Sequence, residues 1–233
     1  MSTIQAIKLS KAYNNITALK NLNLSIEKGE IFCLLGQNGA GKTTTINLLL
    51  GFTNATSGTA TINDIEVKPN DIATKIFVAY IPEVVQLYGN LSGVENLDFF
   101  SRLAGFKYNK EMLTVFLSKA GLQTEAHSKR LVTYSKGMRQ KVGIAIALAK
   151  NADVILMDEP TSGLDPKATA EFTKICKELA AEGKTILMAT HDIFNAVNVG
   201  TTIGIMKQGE LIHTINTCDI TANELQQLYL ETI

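Results

Sequence analysis

The tightest constraint on this chain is the segment Gly36-Gln37-Asn38-Gly39-Ala40-Gly41-Lys42-Thr43, which fits G-x-x-x-x-G-K-[ST] and stands between an apolar run and an amphipathic helical pattern. Glycines at this spacing let the backbone curl until successive amide N–H groups face an anion, and the following helix adds the partial positive charge of its N-terminus. The segment therefore predicts a polyphosphate site. Lys42 is placed to reach the β- and γ-phosphates, Thr43 to offer its hydroxyl to Mg²⁺, which prefers oxygen ligands, and Thr44 to meet the α-phosphate. A plain strand-to-helix turn has no use for Lys followed by Thr.

The flanking pattern fixes the fold class. Ile31 to Leu35 is short and charge-free and follows the turn Glu27-Lys28-Gly29-Glu30, as expected of a central parallel strand covered on both faces. Upstream, Ile4 to Leu9 and Ala18 to Ile26 read as strands. Helical periodicity then takes over in Val94 to Ala104, Lys110 to Ala120 and Ser135 to Lys150, with Met112, Leu113, Phe116, Leu117 and Ala120 on one face and Gly121 ending it. Strand character returns at Val154 to Met157 and Thr185 to Ala189. Between them lies a helix with Asp165 as N-cap, Pro166 at its first position, a stripe of Ala168, Phe172, Ile175, Cys176 and Leu179, and Gly183 beyond its end. A hairpin follows, Ile203 to Lys207 and Glu210 to Ile215 around Gln208-Gly209, and Thr221 to Glu231 closes as a helix. The expectation is an α/β sheet core interrupted by a helical insertion.

At the carboxyl end of the strand Val154 to Met157 stand Asp158 and Glu159, where open α/β sheets place their ligands. Asp158 suits holding Mg²⁺, directly or through water, and Glu159 suits the general base that polarises an attacking water. The chain continues Glu159-Pro160-Thr161-Ser162-Gly163-Leu164-Asp165; upstream stands Tyr134-Ser135-Lys136-Gly137-Met138-Arg139-Gln140, and downstream Ala189-Thr190-His191-Asp192. In this order, and over essentially the whole chain, these motifs resemble the ATP-binding subunit of ABC transporters.

The resemblance implies a P-loop NTPase fold: a RecA-like sheet core, an N-terminal antiparallel β subdomain, and a helical subdomain inserted at roughly 84–150 in a single domain spanning 1–233. It implies ATP and Mg²⁺ as ligands. Tyr13 matches the aromatic that stacks on adenine; Gly36, Asn38, Gly39, Ala40, Gly41, Lys42, Thr43 and Thr44 match the nucleotide-binding loop; Asp158 and Glu159 match the magnesium and catalytic carboxylates. His191 matches the switch residue that contacts the γ-phosphate and holds Glu159 in register, and Asp165 the loop that links two protomers. Ser135, Lys136 and Gly137 match the signature that faces the nucleotide of a second protomer. Partners implied are therefore a second copy or a paralogous subunit and an integral membrane permease, with the chain cytoplasmic and peripheral on the inner face of the cell membrane.

Two departures stand out. The family signature reads Leu-Ser-Gly-Gly-Gln, whereas Tyr134, Lys136 and Met138 occupy three of those positions here. Glu83, in Ala79-Tyr80-Ile81-Pro82-Glu83, stands where the family commonly has a glutamine that touches Mg²⁺ and water; a glutamate still offers oxygen and adds charge. Both departures, with Leu91-Ser92-Gly93-Val94-Glu95-Asn96-Leu97, resemble the exporter branch. The apolar loop Val84-Val85-Gln86-Leu87-Tyr88 is expected either to form a groove for a short helix of the membrane partner or to be buried within the helical region.

Composition bears on the rivals. Lys plus Arg and Asp plus Glu number 22 each, so the net charge of zero gives no global field for nucleic acid. A soluble ABC ATPase serving DNA repair or translation is the alternative, disfavoured by a single cassette without a coiled-coil insertion, zinc-ligand cluster or basic stripe. A GTPase would need Asn-Lys-x-Asp, and Asn109-Lys110-Glu111-Met112 lacks the aspartate. No run approaches the roughly 18 apolar residues of a spanning helix, and the opening MSTIQAIKLSKAYNN lacks a secretory signal pattern. Cys33, Cys176 and Cys218 show no paired spacing and read as free thiols.

Overall fold

A computed structural model describes residues 2–233. Two sheets organise them. The first is antiparallel, in the order β2-β1-β4-β5, and comprises β1 (Ser2–Tyr13), β2 (Ile16–Glu27), β4 (Ser57–Ile62) and β5 (Ile65–Glu66). The second, in the order β10-β9-β3-β8-β7-β6, comprises β3 (Ile31–Leu35), β6 (Val78–Ile81), β7 (Val154–Asp158), β8 (Thr185–Thr190), β9 (Thr202–Lys207) and β10 (Glu210–Asn216). All its neighbours run parallel except the edge strand β10.

β3 explains why its sequence has no polar face. Ile31, Cys33 and Leu35 enter one hydrophobic core, together with Ile155, Met157, Ile186 and Met188. Phe32 and Leu34 enter the other, which they share with Leu9, Leu19, Ile26 and the helix α1 (Lys42–Leu49). α1 thus lies between the two sheets and is covered on both sides. Its first turn is consequently fixed where the loop from β3 ends.

The remaining helices carry the termini their sequences announce. α2 (Gly93–Leu103) has a capping box of Ser92 and Glu95, α3 (Lys110–Lys119) is capped by Asn109, and α4 (Lys136–Ala149) by Ser135. α5 (Pro166–Ala181) starts on Asp165, whose carboxylate accepts from Ala168 N at 2.8 Å; α6 (Ile193–Val199) and α7 (Ala222–Thr232) follow. α4 packs on α2 and α3 and also on β6, so it belongs to both the helical region and the sheet's helical layer.

The structure extends the expected strands at both ends of the chain and adds β4, β5, β6 and α6, which periodicity alone did not mark. β5 is a two-residue edge strand, β4 beside it has few buried positions, and β6 and α6 are short. One expected face is narrower than predicted: Leu113, Leu117 and Ala120 are buried, whereas Met112 is exposed, because α3 is covered on one side only. The loop after Glu83 divides. Val85 is buried and Leu87 packs against the core, while Val84 and Tyr88 face outward, with the Tyr88 ring 5.0 Å from that of Phe99.

Candidate nucleotide site

The loop between β3 and α1 is shaped by contacts that leave no room for side chains. Gly41 has φ +105°, and a Cβ there would lie 2.8 Å from the Ala18 carbonyl oxygen; a Cβ on Gly36 would lie 2.7 Å from that of Met206. The loop is also tied from outside. Ala40 N donates to Gln37 O at 3.1 Å, and Ala40 O accepts from Gly209 N at 3.0 Å, in the turn of the β9–β10 hairpin. Gly209 O in turn accepts from Lys20 N at 2.7 Å, joining loop, hairpin and β2.

Lys42 is buried, and its ammonium donates to Gly36 O at 2.6 Å and Gln37 O at 3.2 Å. It also stands 3.5 Å from Glu159 Oε1. The other oxygen of Glu159 is 2.8 Å from His191 Nδ1, which follows β8. Glu159 has φ +46°, sparsely allowed for a residue with a Cβ, and is held there by its N–H bond to Ala189 O at 2.9 Å. β7 and β8 therefore bring an acid and an imidazole together, and α1 brings the loop's cation to the same carboxylate.

Asp158 is partly buried and accepts a hydrogen bond from the Thr43 hydroxyl. Burial pushes its carboxyl above the ordinary aspartate range; the Thr43 bond opposes this, the charge of Glu159 raises it further, Lys42 lowers it, and Glu83 raises it. A cavity of about 720 Å³ opens here, lined by Tyr13, Asn38, Gly39, Thr43, Thr44, Glu83, Asp158 and Glu159, among others. Tyr13 is exposed at its mouth, with the Lys11 ammonium 4.7 Å from the ring centroid, so it is not a core tyrosine. The Thr43 hydroxyl with the Asp158 and Glu83 carboxylates is an all-oxygen donor set. Among the described residues no group of three or more His, Cys, Asp and Glu could hold a metal alone. Such a set fits Mg²⁺, which takes one or two carboxylates and completes its shell with waters and substrate phosphates.

The other expected site residues lie apart. Ser135, Gly137 and Asp165 line a separate cleft of about 210 Å³ with Met138 and Lys141. Ser135 Oγ accepts from Met138 N at 3.3 Å as the cap of α4, and Tyr134 is buried, its hydroxyl donating to Ala126 O at 2.5 Å. Lys136 does not share that cleft: its ammonium stands 3.6 Å from Glu83 Oε1. Residues missed by sequence reasoning are Ser162, which donates to Glu83 Oε1 at 2.9 Å, and Ala18, Lys20 and Gln208, which line the main cavity. They reach it through tertiary pairing, for which no local signal exists.

A glycine-rich loop whose helix starts on a buried lysine, facing two acids at a parallel strand end, defines a P-loop nucleotide-binding protein. Comparison with known proteins narrows the class. The ABC transporter family model matches residues 19–162. The linearmycin resistance ATP-binding protein LnrL of Bacillus subtilis is 33% identical over 90% of this chain and 68% of its own length. The bacitracin transport ATP-binding protein BcrA of Enterococcus faecalis is 34% identical over 93% and 70%. Among solved structures, a dimeric ATP-binding cassette bound to ADP and Pi is 30% identical, with TM-score 0.80 over 92% of this chain and 98% of the other. This chain belongs to the ABC transporter family, as its ATP-binding and ATP-hydrolysing subunit.

Proposed function

We propose that the chain is a single domain whose helical subdomain spans roughly 84–150, and that it powers export through a separate membrane permease. The observation that carries the mechanism is the convergence of Lys42, Asp158 and Glu159 on one cavity wall, with His191 bonded to Glu159. Tyr13 stacks on the adenine, and Asn38 through Thr44 wrap the phosphates with Lys42 shifting from Gly36 O and Gln37 O to the terminal phosphates. Thr43 and Asp158, with Glu83, would hold Mg²⁺, which when bound neutralises phosphate charge. Glu159 accepts the proton of the attacking water, and His191 at 2.8 Å keeps the carboxylate aimed at it.

Ser135, Gly137 and Asp165 line a cleft separate from this cavity, which supports completion of the site by a second chain, with Asp165 at the junction. The γ-phosphate then holds two chains together and its loss releases them. No helix among the described residues is long and apolar enough to cross a membrane. We therefore assign membrane association to the permease. The relatives serving linearmycin resistance and bacitracin transport support the export reading.

The test supplies purified chain with magnesium and either ATP or GTP. Retention of ATP, protection of the Gly36–Thr44 loop from proteolysis and preferential ATP turnover are expected; absence of both retention and protection would overturn the proposal. For the permease, the outward side chains are the ones to change: Val84 and Tyr88 to Ser should abolish transport while ATP binding persists, and unchanged transport would remove this loop from the docking surface.

A further inference from the structure

The two departures from the family pattern, Glu83 and Lys136, are distant in sequence and adjacent in space. Lys136 Nζ stands 3.6 Å from Glu83 Oε1, the oxygen that also accepts from Ser162 Oγ at 2.9 Å. One turn along α4, the buried Gln140 donates to Pro82 O at 3.2 Å and Glu83 O at 3.0 Å. The loop after β6 is thus gripped by α4 through its backbone and through its one carboxylate. A glutamine at position 83 could take the backbone grip and the serine bond unchanged. Only the charge calls for Lys136.

That charge has a cost at the nucleotide site. Glu83 lines the same cavity as Asp158 and Glu159, so three carboxylates face the space that an anionic polyphosphate enters. Like charges within a partly enclosed cavity repel, and the ammonium at position 136 is the counter-charge bonded to the outermost of the three.

We propose that Lys136 is a positioning residue for nucleotide binding within its own protomer: it offsets the extra charge of Glu83 and, with Ser162, fixes where that carboxylate stands at the cavity. This rests on the reading of the cavity as an ATP site. Both side chains are solvent-accessible, so the pair contributes little to folding; its effect is on the field inside the cavity. Lys136 and Glu83 are therefore a matched pair, each conditional on the other.

The test measures the affinity of a fluorescent ATP analogue, with and without magnesium, beside steady-state hydrolysis, for the wild-type chain and for K136Q, K136R, E83Q and E83Q/K136Q. K136Q should weaken binding about three- to fivefold and raise KM alike with a smaller change in kcat, an effect that shrinks on going from ~50 to ~500 mM salt. K136R, which keeps the charge, should bind as wild type. In the E83Q background the K136Q change should fall below about 1.5-fold. Equal effects of K136Q in both backgrounds, or a loss in kcat alone, would overturn the inference while leaving the ATP site standing. A wild-type chain that does not bind the analogue would overturn the ATP reading itself.

Discussion

Replacing Glu159 with glutamine separates chemistry from binding. The amide matches the carboxylate in volume, tolerates the same φ of +46° and leaves the backbone bond to Ala189 O intact. It can still hydrogen-bond to His191 Nδ1, now 2.8 Å from the carboxylate. Basicity and one negative charge are what disappear. Removal of a general base costs 10²- to 10⁴-fold in rate, or about 3–5 kcal/mol at roughly 1.4 kcal/mol per decade. The lost charge acts in the other direction. Glu159 Oε1 is 3.5 Å from Lys42 Nζ, a gross attraction of about 5 kcal/mol at an effective dielectric of ~20, largely offset by desolvation. Without it Lys42 retains Gly36 O and Gln37 O as acceptors and is freer to move to phosphate. Turnover should therefore fall at least about 100-fold while ATP affinity holds or tightens. Phosphate release at saturating ATP and an equilibrium nucleotide titration measure the two. Turnover within about tenfold of wild type would place the base elsewhere; loss of ATP binding would show that Glu159 shapes the loop instead of priming water.

Lys42→Ala removes the cation proposed to bridge loop and phosphates, and nucleotide affinity should fall by about tenfold or more in the same titration. Asp165→Ala deletes the cap of α5 at Ala168 N, so the melting temperature should drop by about 2–4 °C, for about 1 kcal/mol, in a calorimetric scan. Cys218 alone should react with a thiol reagent at pH 8, because burial pushes the Cys33 thiol up to about 12 and raises that of Cys176 as well. The same burial sets a pH dependence: above about pH 9 the unfolded thiols ionise and the folded ones stay protonated. The unfolded chain then binds fewer protons, and stability should fall by roughly 1 kcal/mol per pH unit per thiol in denaturant titrations.

Much of this was legible before any coordinates, and the reason is range. The phosphate loop, the acids ending β7 and the cap Asp165 are encoded within a few neighbouring residues, and periodicity located the long helices. The antiparallel sheet needed β4, whose Ser-Gly-Thr start carries little strand signal and is stabilised by pairing with β1. The Glu83–Ser162–Lys136 contact and the cavity wall formed by Ala18, Lys20 and Gln208 bring together segments whose sequences say nothing of one another. The apolar loop after Glu83 illustrates the same limit. Both expected fates occur within it, and which side chain takes which depends on packing by α2 and α4.

The bonds from Ala40 to Gly209 and from Gly209 to Lys20 have a consequence for biogenesis. A ribosome extends its product by about 5–20 residues per second, so the glycine-rich loop emerges long before the hairpin that closes over it. Until β9 and β10 are made, the loop lacks its outer brace, and the nascent chain is unready to capture nucleotide. Acquisition of ATP is thereby deferred until that hairpin has been made, and a fragment ending before it should emerge without this ability.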